Sequence, residues 1–137
     1  MEDTELLSKM RSLGHMLYHG YPSSFPCGRM LRVLYREGPM SQCRLAENLG
    51  IRPASLSEMA DKAQTQGLIE RGSRQEDKRC SLLQLTDLGR QQAIRAEEER
   101  KKTAEFLFSP LSDDEKEALK GMLDKLQSHW KEGMKHE

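Results

Sequence analysis

Residues 67–89 read GLIERGSRQEDKRCSLLQLTDLG. Two short β-favouring runs, LIER at 68–71 and SLLQL at 81–85, flank a polar loop that holds Arg74, Lys78 and Arg79. Apolar runs bounded by glycine and polar residues read as paired strands, and this loop is too long for a two-residue turn. The stretch therefore predicts a hairpin with cations at its tip. A basic loop alone is usually a solvated surface. Directly behind a helix-turn-helix pattern, it has the form of a wing that grips DNA.

That pattern lies immediately upstream. Ser41 reads as the N-cap of a short helix from Gln42 to Leu49, because its hydroxyl can accept from an otherwise unpaired backbone N–H. Gly50 suits the left-handed residue that ends such a helix, and Ile51 supplies the apolar residue of the turn. Pro53 fits the first turn of the next helix, where its missing N–H costs nothing. That second helix runs to about Gln66 and stops at Gly67. A short helix, a tight turn and a second helix make a helix-turn-helix.

Outward from this module, Leu6, Leu7, Met10, Leu13, Met16 and Leu17 recur at spacings of three and four, which predicts an amphipathic helix over 3–19. Gly20 to Ser23 break it, and a further helix follows over 25–37. After the hairpin, Thr86 is placed to cap a long helix from Asp87 to about Phe108. Its middle, AEEERKK at 96–102, reads as a solvated spacer. Ser112 and Glu115 form a capping box for a last helix, which carries Leu119, Met122, Leu123, Leu126 and Trp130 on one stripe.

Composition limits the class. The 137 residues suffice for one domain, with 36% apolar and 32% charged residues, which suits a helix-rich chain whose core a partner completes. Formal net charge is zero, yet residues 29–80 hold 10 Lys/Arg against 7 Asp/Glu, a net of +3, and the remainder holds 12 against 15. Cys27, Cys43 and Cys80 show no metal spacing and form an odd set, which argues against a secreted disulfide framework. No run reaches the roughly 18 apolar residues of a membrane span, and the acidic start MEDTELLSKM is unlike a signal peptide, so a cytoplasmic location with reduced thiols is expected.

The apolar stripes of the first and last helices have no partner within the hairpin module. A two-fold dimer would bury both, and would space two recognition helices about one DNA turn, roughly 34 Å, apart.

The sequence resembles the MarR family of bacterial winged-helix regulators over nearly its whole length. The resemblance rests on Leu45-Ala46-Glu47 with Leu49-Gly50-Ile51, on Gly67-Leu68-Ile69-Glu70-Arg71, on Asp77-Lys78-Arg79, and on Leu85-Thr86-Asp87-Leu88-Gly89, in that order and spacing. It implies a fold that is mainly α with a small β-hairpin wing. A winged helix-turn-helix at about 25–88 would be flanked by dimerisation helices at about 1–20 and 89–137, within a single domain. It also implies a homodimer that controls transcription, usually by repression at a palindromic operator, with relief by a small molecule, a metal ion or thiol oxidation. Two departures stand out. Ala63 replaces the leucine usual late in the recognition helix, so looser packing is expected there, and the N-terminal segment is short.

The residues expected to touch double-stranded DNA follow. In the recognition helix Leu56, Met59 and Ala60 face inward, which leaves Ala54, Ser55, Ser57, Glu58 and Lys62 outward. Short polar side chains at a helix N-terminus can meet base edges, and free N–H groups there can meet phosphate. Ser55 has a second reading as helix cap or plain surface. Glu58 could accept from cytosine or stay neutral. By the resemblance, Arg79 enters the minor groove and Asp77 orients it through an ion pair. Arg74 and Lys78 suit phosphate contacts, while Arg52 and Arg71 divide between phosphate contact and surface charge.

The effector side is less sharply written. Cys27, at the start of the second helix, could be a thiolate favoured by the helix dipole and open to oxidation, or a structural cysteine. Leu13, Met16, Leu17 and Tyr18 could line an effector pocket near a hinge, with His15 as a polar contact. His15 and His19 stand at i, i+4, a metal-compatible spacing with no third ligand in sight, so no metal or other cofactor is expected. The chain carries no Gly-rich phosphate loop and no nucleophile elbow, and an enzyme is not expected. The alternative to a regulator is a winged-helix interaction module that does not bind DNA; the Asp77–Arg79 pair favours DNA.

Overall fold

A computed structural model of the chain describes residues 1–25, 27–72 and 81–134. The elements run α1 (Asp3–Gly20), α2 (Gly28–Glu37), β1 (Met40–Ser41), α3 (Gln42–Leu49), α4 (Pro53–Thr65), β2 (Ile69–Arg71), β3 (Leu82–Leu85), α5 (Asp87–Phe108) and α6 (Asp113–Met134). Two compact units divide the chain, Met1–Arg100 and Lys101–Glu137. The expected fold class is the observed one: mainly helical, with a small antiparallel sheet.

In the first unit the sheet has the order β1-β3-β2. Ile69 pairs with Leu85, Glu70 with Gln84 and Arg71 with Leu83, so Ile69 and Leu83 turn into the core. The β1 strand was not foreseen. Met40 and Ser41 pair with Leu83 and Leu82, so Ser41 serves both as sheet residue and as helix cap. Two residues are too few to show a period of two in the sequence.

The local signals that shaped the helix-turn-helix operate as expected. The Ser41 hydroxyl accepts from the Arg44 N–H at 3.2 Å, and Gly50 takes φ +67° while donating to Ala46 and Glu47. Pro53 opens α4. Leu45, Ala46 and Leu49 of α3 and Leu56, Ala60 and Ala63 of α4 join Met30, Leu31, Val33 and Leu34 of α2 in one buried cluster with Leu68, Ile69 and Leu83. Ala63 is wholly buried in this cluster.

The second helix begins three residues later than expected. A residue before proline is disfavoured in the helical region, and Cys27 takes φ +60°, so α2 starts at Gly28. A Cβ at Gly28 would meet the Ala96 Cβ of α5 at 3.5 Å, an ordinary contact distance.

The junction of sheet and α5 is tightly stitched. Thr86 donates its hydroxyl to the Gly67 carbonyl at 2.6 Å and accepts from the Gly89 N–H at 3.0 Å, while its own N–H bonds the Leu68 carbonyl at 3.0 Å. Gly89 has no room for a side chain: a Cβ there would overlap the Leu68 carbonyl oxygen. The charged run in α5 corrects the expectation of a solvated spacer. Ala96 is buried, Glu97 faces Arg32 of α2 at 3.7 Å, and Glu99 accepts from the Ser24 N–H at 2.9 Å. Those bonds, from the Ser24 side chain and backbone together, hold the Glu99 carboxyl below its usual range.

In the second unit the capping box forms as read. The Ser112 hydroxyl accepts from the Glu115 N–H at 3.2 Å, and the Glu115 carboxylate accepts from the Ser112 N–H at 3.0 Å. Met122, Leu123, Leu126 and Trp130 stand exposed along α6. In the first unit Leu6, Leu7, Leu13, Met16 and Leu17 stand exposed along α1.

Candidate nucleic-acid interface

The amphipathic pattern of α4 sets its outward face. With Leu56, Ala60 and Ala63 fully buried and Met59 half-buried, Ala54, Ser55, Glu58 and Lys62 are exposed and Ser57 is half-buried. Arg52 occupies the N-cap in an extended conformation and makes no side-chain cap bond. Ser55 lies three residues past this N-cap, in the first turn, and is exposed. An N-terminus without a side-chain cap leaves first-turn N–H groups facing outward, a donor set suited to an anionic oxygen. Serine hydroxyls, one lysine and those amides give the face both donors and acceptors. Chemically, it can engage phosphates and base edges.

Arg71 is placed otherwise than as a surface cation. Its side chain is only 11% exposed, and its guanidinium donates to Asp61 at 2.6 Å, to Gln64 at 2.9 Å and to Gln42 at 3.3 Å. Among the described residues its Nε is buried without a hydrogen-bond partner. Arg71 thus ties the base of the hairpin to both helices of the helix-turn-helix: Gln42 lies on α3, Asp61 and Gln64 on α4. Gln42, itself buried, donates its backbone N–H to the Ser81 carbonyl at 2.9 Å. A planar fork that spans three acceptors fixes the angle between α4 and the hairpin. Sequence reasoning missed Gln42, Asp61 and Gln64, because long-range polar pairing leaves no periodic trace. The one available hint was a polar residue, Gln42, at an inward position of a short helix.

The tip residues Arg74, Asp77, Lys78 and Arg79, together with Cys80, lie outside the described residues. Gly72 donates to the Leu82 carbonyl at 2.8 Å, which extends the β2–β3 pairing one step toward the tip.

The effector candidates separate into two groups. Leu13, His15, Met16, Leu17 and Tyr18 all lie exposed on α1, with the His15 and His19 rings 4.3 Å apart and Tyr18 set edge-on to His19 at 4.9 Å. Among the described residues no three His, Cys, Asp or Glu side chains gather in a way that could hold a metal ion. Cys27 is different. It is half-buried against the core, and its thiol faces the Met59 carbonyl at 3.7 Å. Burial pushes that thiol up from its ordinary value, with Lys62 opposing in part. Of the two readings of Cys27, this favours the structural cysteine over the thiolate, since desolvation outweighs the opposing charge of Lys62.

Residues 27–81, from the N-cap of α2 to the edge of β3, match the family model described as the MarR family. This part of the chain is similar to the MarR family. The MarR segment contains the helix-turn-helix, the Arg71 network and the residues between the two hairpin strands. An uncharacterised HTH-type transcriptional regulator of Bacillus subtilis, YdgJ, is 24% identical over 100 residues. That match covers 73% of this chain and 61% of YdgJ, so the chain spans less than two thirds of that relative. Among solved structures, NMB1585, a MarR family regulator from Neisseria meningitidis, superposes with a TM-score of 0.75 at 21% identity, covering 99% of each chain. The PcaV transcriptional regulator of Streptomyces coelicolor, solved in complex with its natural ligand, gives 0.73 at 20% identity over 93% of each chain. At these identities the structural likeness speaks to the fold.

Proposed function

We propose that the protein is a homodimeric, sequence-specific DNA-binding regulator of transcription, acting as a repressor at a palindromic operator. The observation that carries this reading is the α4 face. An uncapped helix N-terminus with Ser55, Ser57 and Lys62 beside it is held rigidly to the hairpin base by Arg71, inside a MarR-family segment. Rigid placement matters because base readout requires side chains at fixed positions in the groove. In this reading Arg52, Ala54, Ser55, Ser57, Glu58 and Lys62 line the major groove, and Arg74, Lys78 and Arg79 meet the backbone and minor groove, with Asp77 orienting Arg79. Arg71 acts from within the protein.

The dimer reading rests on the exposed apolar residues of α1 and of α6, which a second copy would cover. Relief by a small molecule is supported more distantly, by the fold likeness to a regulator solved with its natural ligand.

The test is binding of the purified protein to its own upstream DNA at two salt concentrations, beside Arg79→Ala and Lys62→Ala. Tight binding that falls steeply with salt and weakens by about 1–3 kcal/mol in Arg79→Ala supports the regulator. If selection from random DNA yields no preferred site, the chain is a winged-helix interaction module.

A further inference from the structure

The last two turns of α1 bring two imidazoles together on open surface. His15 and His19 stand one turn apart, both exposed, with ring centroids 4.3 Å apart and planes tilted by 46°. Tyr18 meets His19 edge-on at 4.9 Å and so limits where that ring can swing. Each residue turns a helix by about 100°, which puts this pair across the axis from the apolar stripe of Leu6, Leu13 and Leu17. A second copy covering that stripe therefore leaves the imidazoles in water. Their place along the helix matters as well. His19 is in the last turn, where carbonyls without intrahelical partners and the negative end of the helix dipole both favour a cation.

We propose that His15 and His19 form a chelating site for a labile divalent transition-metal ion of the imidazole-favouring class, Ni2+, Cu2+ or Zn2+. Neutral imidazole is the commonest metal ligand, and these ions take it readily, whereas Mg2+ and Ca2+ require oxygen donors. An ion about 2.0–2.1 Å from each ring nitrogen needs only rotation of two exposed, neighbouring side chains. A closed structural site would need four ligands, and α1 offers no third here: residues 8–20 hold neither Asp nor Glu. Water completes the shell, so the ion exchanges readily and is no resident cofactor. Arg11, one turn before His15, opposes a cation, but it is exposed and its charge is screened by salt. The pair needs no DNA, so the site stands independently of the proposed function.

The experiment is isothermal titration of the full chain with NiCl2 under a thiol-free reductant, beside His15→Asn, His19→Asn and His129→Asn. One Ni2+ per chain is expected for wild type and for His129→Asn. Each α1 variant should bind more weakly by about tenfold or more, no less than the loss of an outer-shell partner costs. Both α1 side chains are exposed, so the variants should keep the wild-type unfolding midpoint in the absence of metal. Arg11→Glu supplies what the site lacks, a carboxylate one turn before His15 in place of a repelling cation. It should tighten Ni2+ binding several-fold. No uptake by wild type at submillimolar Ni2+, wild-type affinity in either α1 variant, or no gain in Arg11→Glu overturns the site.

Discussion

The Arg71 guanidinium lies 2.6 Å from the Asp61 carboxylate and so joins the second strand of the sheet to the helix that presents Ser55 and Lys62. The pair is asymmetric. Asp61 is about half exposed and Arg71 nearly buried, so the guanidinium depends on this contact more than the carboxylate does. Gln64 and Gln42 complete the fork.

Arg71→Ala should therefore lower stability by about 1–3 kcal/mol, because it strands the buried Gln42 carbonyl and uncouples α4 from the hairpin. Arg71→Lys separates positioning from charge. A lysine can reach Asp61 but cannot serve three acceptors at once, so it should recover only part of the loss. Urea midpoints of the two variants, read beside their DNA affinities, check this. If Arg71→Lys matches wild type in both, charge alone accounts for the residue.

Gly89→Ala should be among the most damaging single-methyl changes in the chain. Its Cβ would overlap the Leu68 carbonyl oxygen and come within 3.0 Å of the Leu68 carbonyl carbon, both backbone atoms that cannot step aside. A loss of about 2–4 kcal/mol is expected. Gly121 on α6 is the control. A Cβ there meets nothing within 4 Å, so Gly121→Ala should stabilise by about 0.5–1 kcal/mol through helix propensity. Calorimetric midpoints moving in opposite directions would bear out the contrast.

How much of this was visible beforehand depends on the range of the interaction. Ser41, Gly50, Pro53, Thr86 and the Ser112–Glu115 box act on backbone within four residues, and each was legible because its cause is local. The contacts missed all span distance: Arg71 with Gln42, Thr86 with Gly67, Glu97 with Arg32, Glu99 with Ser24. The run at 96–102 reads as a solvated spacer because its charge is local, while Arg32, which α2 brings against Glu97, is distant in sequence. Cys27 reads from sequence either as a helix-end thiolate or as a structural cysteine, and its surroundings favour the second. What the sequence does not show is the long-range contact that places its thiol against the Met59 carbonyl.

The raised Cys27 thiol gives a pH dependence with a definite sign. Its folded pKa lies above the unfolded value, so near and above the unfolded pKa the folded state holds the proton more tightly. The neutral-thiol contribution is fully present below the unfolded pKa, near 8.5, and is lost as pH rises through the folded one. Wild type should thus lose stability relative to Cys27→Ala as pH rises above about 8, with the difference constant below about pH 7. Paired urea titrations across that range isolate the one thiol, since every other titrating group is common to both proteins. A flat difference would show that the thiol ionises normally in the folded state.

The exposed apolar residues of α1 and α6 carry the last expectation. Leu13, Met16 and Leu17 on the one helix, and Leu123, Leu126 and Trp130 on the other, are all more than a third exposed. Side chains of this size contribute about 1.5–3 kcal/mol each when fully buried, too much to leave in water along two long helices of a stable chain. Sedimentation equilibrium should accordingly give twice the 15.7 kDa chain mass at micromolar concentration. Leu126→Asp should shift that equilibrium toward monomer and, by separating the two recognition helices, reduce binding to a two-site operator far more than to a half-site. A wild-type chain that remains at 15.7 kDa would remove the two-fold reading. It would then leave each α4 to bind DNA alone, with the lower affinity of a single contact.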